Sequence, residues 1–127
     1  MSRVIHFELP AENPERAMAF YSQVFGWQFQ KWEGPMDYWL VTTGPAEAFG
    51  INGGLAAQQP EMPKAPINVI DVVAIDDAIA AVKAAGGTIT MEKHEIPGVG
   101  WLAYFTDTEG IVSGLMQPLQ GQEATGA

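Results

Sequence analysis

The sequence contains no cysteine. Disulfides, thiolate nucleophiles and thiolate metal sites are thereby excluded. Basic residues are scarce: 6 Lys and Arg stand against 15 Asp and Glu, a formal net charge of −9. Phosphate backbones and anionic lipid surfaces both call for a cationic face, so neither nucleic acid nor a membrane surface is an expected partner. The acidity itself implies a soluble, self-repelling surface, not a cationic substrate. Long apolar runs are missing too. No stretch approaches the ~20 residues of a membrane-spanning helix, and Met1 to Glu8 holds no apolar core of the kind a secretory signal carries. The chain reads as cytoplasmic. There is no Gly-x-Gly-x-x-Gly or Walker pattern to cradle a nucleotide. Ser22 and Ser113 have no recognisable His–Asp partners, so no hydrolase signature is present.

What is present is globular. The 127 residues suit one domain, and 47% hydrophobic against 17% charged is the composition of a packed chain. We read one domain over residues 1–118, and a patternless, frayed tail over 119–127. Val4 to Leu9 is rich in strand formers. Asn13 suits an N-cap with Pro14 at the first helical position. Ala17, Met18, Phe20, Tyr21, Val24 and Phe25 then recur at helical spacing up to the stop at Gly26. Trp27 to Trp32, Tyr38 to Thr43 and Phe49 to Leu55 read as three further strands. Gly34-Pro35 and Gly44-Pro45 mark the turns between them.

After a Gln- and Pro-rich connector, Ala56 to Pro66, the order repeats. Ile67 to Val73 is a strand, and Asp76 to Ala85 a helix ended by Gly86-Gly87. Thr88 to Glu92, Gly100 to Thr106 and Ile111 to Gln117 are strands, with Asp107-Thr108-Glu109-Gly110 as a tight turn. Trp39-Leu40-Val41 echoes Trp101-Leu102-Ala103, and Gly50-Ile51-Asn52-Gly53-Gly54-Leu55 echoes Gly110-Ile111-Val112-Ser113-Gly114-Leu115. The fold class that follows is α+β: two βαβββ modules, about 1–55 and 67–118. A doubled unit cannot cover its own sheet face, so the expectation is paired curved sheets around a cavity.

The string His6-Phe7-Glu8-Leu9-Pro10, with Asn13-Pro14-Glu15-Arg16-Ala17, Phe20-Tyr21 and Val24-Phe25-Gly26-Trp27, resembles the opening of the vicinal oxygen chelate superfamily. That is the glyoxalase, bleomycin-resistance and extradiol dioxygenase group. Asp37-Tyr38-Trp39-Leu40, Gly50-Ile51-Asn52-Gly53-Gly54, Ala85-Gly86-Gly87, Ile96-Pro97-Gly98-Val99-Gly100-Trp101 and Asp107-Thr108-Glu109-Gly110 resemble its branch described as related to lactoylglutathione lyase. One departure is Ile111, where that branch usually has Asn after the turn glycine. The superfamily hosts several reactions on one scaffold, so the likeness speaks to fold more than to chemistry.

The resemblance implies a divalent metal, Zn, Ni, Fe or Mn, with one ligand on the first strand and one on the last strand of each half. His6 matches the first position. Its counterpart in the second half is Ile67 or Asn68: one cannot bind a metal, the other is a poor transition-metal ligand. The last-strand positions, usually Glu, are Gly54 and Gly114. A transition-metal site needs three or four donors. The expectation is therefore no cofactor and no metal-ligating set, with a divalent metal held through His6 and Glu8 as the lesser alternative.

The candidate catalytic residues are His6 and Glu8, which share one strand face. His6 could hydrogen-bond a ligand or move a proton; the alternative is a structural histidine paired on the sheet. Glu8 could join it as a general base beside a carbonyl, or face water at the sheet rim. Gly54 and Gly114 read as space in the pocket or as close-packing points. Asn52, Met116 and Val112 share their parity and are expected to line the same cavity, with Asn68 as the polar candidate of the fifth strand. Trp39 and Trp101 are aromatic walls or core. His94 falls in a turn and receives no role. Three functions follow: a metal-independent binder of a small organic molecule, a lactoylglutathione-lyase-type isomerase, lyase or dioxygenase, or an interaction module with a vestigial cavity. Whether the protein is an enzyme stays open at this point. A homodimer is expected by analogy.

Overall fold

The computed structural model describes residues 2–119. Positions 120–127, most of the expected tail, lie outside the described residues. Eight strands and two helices follow the order β1(Val4–Ala11) α1(Pro14–Phe25) β2(Gln28–Lys31) β3(Tyr38–Thr42) β4(Gly53–Ala57) β5(Ile67–Asp71) α2(Ile75–Ala84) β6(Thr88–Ile96) β7(Gly100–Thr106) β8(Val112–Pro118). This is α+β with the βαβββ order twice over, as the repeat implies. Contacts divide the chain into two compact units, residues 6–66, and residues 67–119 together with the first residues of the chain.

In the first unit the strands lie in the order β2-β3-β4-β1. β2 to β4 form antiparallel hairpins, and β1 returns parallel beside β4. Helix α1 forms where the local signals agree. Asn13 Oδ1 accepts the Arg16 backbone N–H at 3.0 Å, Pro14 sits in the first turn, and Gly26 ends the helix at φ 73°. Its Ala17 and Met18 cover a core of Ala11, Val41 and Leu55, joined by Phe7, Leu9, Trp27, Phe29 and Trp39. Leu55 and Val41 are fully enclosed, and burying each contributes roughly 1.5–3 kcal/mol.

The second unit repeats this as β5-β8-β7-β6, with β5 parallel to β8. Its core is Ile75, Ala103 and Leu115 under Val72, Ala78, Ile79, Val82, Trp101 and Phe105. Helix α2 has no side-chain cap of its own at Ala74. Instead Gln117 Oε1, from β8, accepts the Ile75 N–H at 2.9 Å. This tertiary cap satisfies a first-turn donor and starts the helix one residue earlier than the sequence pattern suggests. Asp71 accepts the Arg3 N–H through its carboxylate and donates its own N–H to the Arg3 carbonyl at 2.9 Å.

Two strands, β4 and β6, differ most from expectation. β4 begins at Gly53, not Phe49, because Gly50 turns at φ 132° and leaves Phe49 fully exposed in the preceding loop. β6 runs on through Lys93-His94-Glu95 to Ile96, with two register irregularities against β7. His94 is thus an exposed strand residue and not a turn residue. Leu119, the first residue of the expected tail, donates its N–H to the Val99 carbonyl at 3.1 Å.

Candidate functional site

Strand alternation gives the first unit two faces. Phe7, Leu9, Trp39, Val41 and Leu55 take the helix-covered one. His6, Glu8, Tyr38, Leu40 and Gly54 therefore share the other. The ladders place them together: Glu8 and Leu40 are both Cα partners of Gly54, on its two flanking strands. Tyr38 is a diagonal neighbour of Gly54, within reach of an aromatic side chain. Its phenol lies across the glycine, and a Cβ at position 54 would overlap the Tyr38 hydroxyl. The same hydroxyl is 3.0 Å from His6 Nε2. Trp32 packs its ring edge-on against Tyr38 with centroids 6.1 Å apart, and the Trp32 N–H donates to the Tyr38 carbonyl at 2.8 Å.

Burial controls the protonation of this pair. It lowers the His6 pKa from 6.5 to about 4, so the imidazole is neutral at neutral pH. Burial, and after it the negative charge of Glu8, raises the Tyr38 pKa above its ordinary value, so the phenol keeps its proton. Two neutral groups thus share one hydrogen bond, with the donor set by the imidazole tautomer. Whichever group donates, donor and acceptor capacity remains on the phenol or the ring for a ligand oxygen or nitrogen.

In the second unit the two matching positions on β5 are apolar. With Val69 opposite Gly114, the counterpart of His6 is Ile67 and that of Glu8 is Val69. Tyr104 is the direct partner of Gly114, and a Cβ there would meet its ring carbons at 3.2–3.3 Å and a Val69 methyl at 3.3 Å. Leu102 and Met116 are Cα partners on the same face. A tyrosine therefore lies over the glycine in each unit, and that of the first pairs with His6.

Several expected site residues stand elsewhere. Trp39 and Trp101 pack against the two cores on the helix-covered faces, away from Gly54 and Gly114. Their match as repeat positions is also offset by two residues. Trp39 pairs with Leu55, whereas Ala103, not Trp101, pairs with the equivalent Leu115. Asn68 is exposed and pairs with Ser113, on the face opposite Val69 and Gly114. Asn52 precedes β4, and its Oδ1 accepts the Thr43 backbone N–H at 2.9 Å and the Thr43 hydroxyl at 3.2 Å. It braces the loop between β3 and β4. Tyr38 is the residue that sequence reasoning did not single out. Its signal was parity, since 38 lies two positions from Leu40, the partner of Gly54.

The donor set does not fit the divalent metal that the resemblance implies. No group of three or more His, Asp or Glu close enough to hold a metal occurs among the described residues. On the site's face the possible ligands are one imidazole, already bonded through Nε2, and one carboxylate, while a protonated phenol fills the position of the missing carboxylate.

The family description "Glyoxalase/Bleomycin resistance protein/Dioxygenase superfamily" matches residues 3–113. The chain belongs to that superfamily. A putative glyoxylase of Mycobacterium bovis is 32% identical over 120 residues, covering 91% of this chain and 44% of that protein. The chain thus spans less than half the length of this relative. A hypothetical protein of Bacillus halodurans superposes with a TM-score of 0.71 at 14% identity, covering 96% of this chain and 98% of that one. Methylmalonyl-CoA epimerase of Mycobacterium tuberculosis gives 0.66 at 13% identity, over 90% and 86%. At such identities the two structural likenesses show the glyoxalase-type fold and no more.

Proposed function

We propose that this glyoxalase-superfamily domain binds a small organic ligand without a metal, using the His6–Tyr38 pair as its polar anchor. One observation carries the reading: the Tyr38 phenol occupies the space over Gly54, where the family pattern has a carboxylate, and bonds to His6. A neutral imidazole and a protonated phenol form a compact hydrogen-bonding group on the sheet face they share with Glu8, Leu40 and Gly54, and a few convergent polar groups are what a small-molecule site uses to orient its ligand. A thermal-shift screen against metabolites and drugs tests it, because a specific ligand stabilises by mass action. His6→Ala and Tyr38→Phe are each expected to weaken the hit at least about tenfold, the effect of removing a buried hydrogen-bond partner. Unchanged affinity in both variants would remove the reading.

A second reading is an isomerase or lyase of lactoylglutathione-lyase type. It is favoured by Glu8, which shares the face of Gly54 and whose charge acts on Tyr38. Glu8 would take a proton from the carbon beside a substrate carbonyl, and the Tyr38 hydroxyl would donate to the developing enolate oxygen. The epimerase named among the structural neighbours is compatible with chemistry of that kind. Deuterium uptake at the α-carbon of the bound hit in heavy water, abolished in Glu8→Gln, separates an enzyme from a binder.

The cytoplasmic homodimer expected from the sequence belongs to the same proposal. Phe20, Val24 and Phe25 leave more than half of their surface exposed on and beside one stripe of α1, and contiguous exposed apolar residues mark interaction surfaces. Light scattering on the wild type and on Phe20→Glu tests the dimer, and cell fractionation its location.

A further inference from the structure

Tyr38 and His6 do not stand on neighbouring strands. β4 lies between β3 and β1, and at the usual strand spacing the two backbones are roughly 10 Å apart across the sheet. Side chains on a strand normally stand upright from it. An upright phenol at 38 would not meet the imidazole. To come within 3.0 Å of His6 Nε2, the ring must lean across β4. Gly54 supplies the room, since a side chain there would overlap the Tyr38 hydroxyl. Room permits the lean without selecting it, because a tyrosine has other staggered χ1 wells.

Trp32 stands where the selection can be made. Lys31 is the Cα partner of Trp39, and the Trp32 backbone N–H, bonded to the Tyr38 carbonyl at 2.8 Å, continues that register by one pair. Trp32 is therefore opposite Tyr38, on the side away from β4 and on the same sheet face. Its ring meets the Tyr38 ring edge-on, with centroids 6.1 Å apart and planes at 80°. Trp27 and Trp39 pack against the core of Ala11, Val41 and Leu55, whereas Trp32 is not among the residues that do. Its support is the turn that follows it. A Cβ at Gly34 would overlap the six-membered half of the Trp32 ring. Gly34 is not one of the glycines with positive φ, so what glycine provides there is space and not backbone freedom. Gly34 and Gly54 thus each seat one aromatic ring, and the two rings touch.

We propose that Trp32 is the positioning residue of this site: seated on Gly34, its ring closes the β2 side to Tyr38 and turns the phenol over Gly54 onto His6. This rests on the His6–Tyr38 pair being the ligand anchor. It goes beyond that reading by assigning what assembles the pair, a tryptophan and a glycine at the β2–β3 turn that act through Tyr38. An edge-on contact between two aromatic rings biases such a rotamer choice by roughly twofold to tenfold.

The test reads the ring nitrogen and Cε1 proton signals of His6 in the ligand-free protein. Tyr38→Phe is the reference in which the bond is absent. In Trp32→Ala the His6 signals should move toward that reference, with the ratio of bonded to unbonded His6 falling roughly twofold to tenfold. Trp32→Phe keeps an aromatic edge and should restore the ratio to within about twofold of the wild type. Gly34→Ala keeps the ring but fills its seat, and should displace the signals in the same direction as Trp32→Ala. In the Tyr38→Phe background Trp32→Ala should leave the ring nitrogen signals unmoved, because the tyrosine is the intermediary. His6 signals at their wild-type positions in both Trp32→Ala and Gly34→Ala would overturn the proposal. So would an equal displacement by Trp32→Ala with and without the Tyr38 hydroxyl. Displacement in Trp32→Ala alone would keep Trp32 and remove Gly34 as its seat. Should Trp32→Ala fail to fold, Trp32→Leu takes its place beside Gly34→Ala. The anchor reading fails separately, on the ligand affinities of His6→Ala and Tyr38→Phe, which these ligand-free spectra do not involve.

Discussion

The Tyr38 hydroxyl stands where the side chain of residue 54 would begin. The two residues are diagonal neighbours on β3 and β4, and the glycine is what lets the phenol lie flat enough to reach His6. The ring and the missing side chain compete for one volume.

Gly54→Ala should therefore destabilise the protein by roughly 1–3 kcal/mol, the usual cost of overpacking a filled site. In Tyr38→Ala the same substitution should cost much less. Urea unfolding of the four-member cycle measures the coupling, and additive effects would show that the two positions do not share space.

His6 predicts a pH dependence of definite sign. Its folded pKa of about 4 lies below the ordinary 6.5. Between those values the unfolded chain holds a proton that the folded chain does not, so stability falls as pH is lowered through this window. From pH 7.5 to 5 the His6 share is about 2 kcal/mol at most. It should be missing from His6→Gln, measured as the difference in urea midpoints between the two proteins. The His6 Cε1 proton should show no titration step near 6.5; a midpoint there would contradict the burial of the ring.

A protein that works without a metal should carry far less than one equivalent of Zn, Ni, Mn or Fe when purified without chelators. EDTA should then move Tm by less than about 1 °C, since a tightly bound ion would stabilise by mass action. A fall of several degrees, with loss of stoichiometric metal, would sink the metal-free reading.

The two helices should respond oppositely to cap changes. Asn13→Ala removes a bonded N-cap from α1 and should cost about 1 kcal/mol. Ala74 has extended backbone, φ −133° and ψ 106°, and no side-chain cap. Ala74→Ser should gain about 0.5–1 kcal/mol in thermal or urea unfolding.

The fold was largely legible because its local signals agreed. Asn13, Pro14 and Gly26 bracket α1 as they stand in the sequence, and the doubled order of elements implied the βαβββ modules. The sequence pattern predicts too short a β6 because this strand ends the strand order of its unit and carries exposed Glu92, Lys93, His94 and Glu95, which show no alternation. The start of α2 depended on Gln117, 42 positions away, which no local pattern contains.

The site was legible in part. Strand period two correctly places His6, Glu8 and Gly54 on one face. It also assigned Asn52 to that face, although the side chain is committed to Thr43 in a loop. The tryptophan echo does not mark matching register, because the ladder sets Ala103, not Trp101, against Leu115. Parity does not single out Tyr38, because reaching Gly54 depends on how its ring is turned.

The overlap between Tyr38 and position 54 also constrains the order in which this sequence can change. A side chain can enter at 54 only if the tyrosine shifts, because the first atom of any such side chain meets the phenol. Position 38 must move or shrink, and either step takes from His6 its bonded partner. The present arrangement therefore acts as an evolutionary ratchet, easier to enter than to leave.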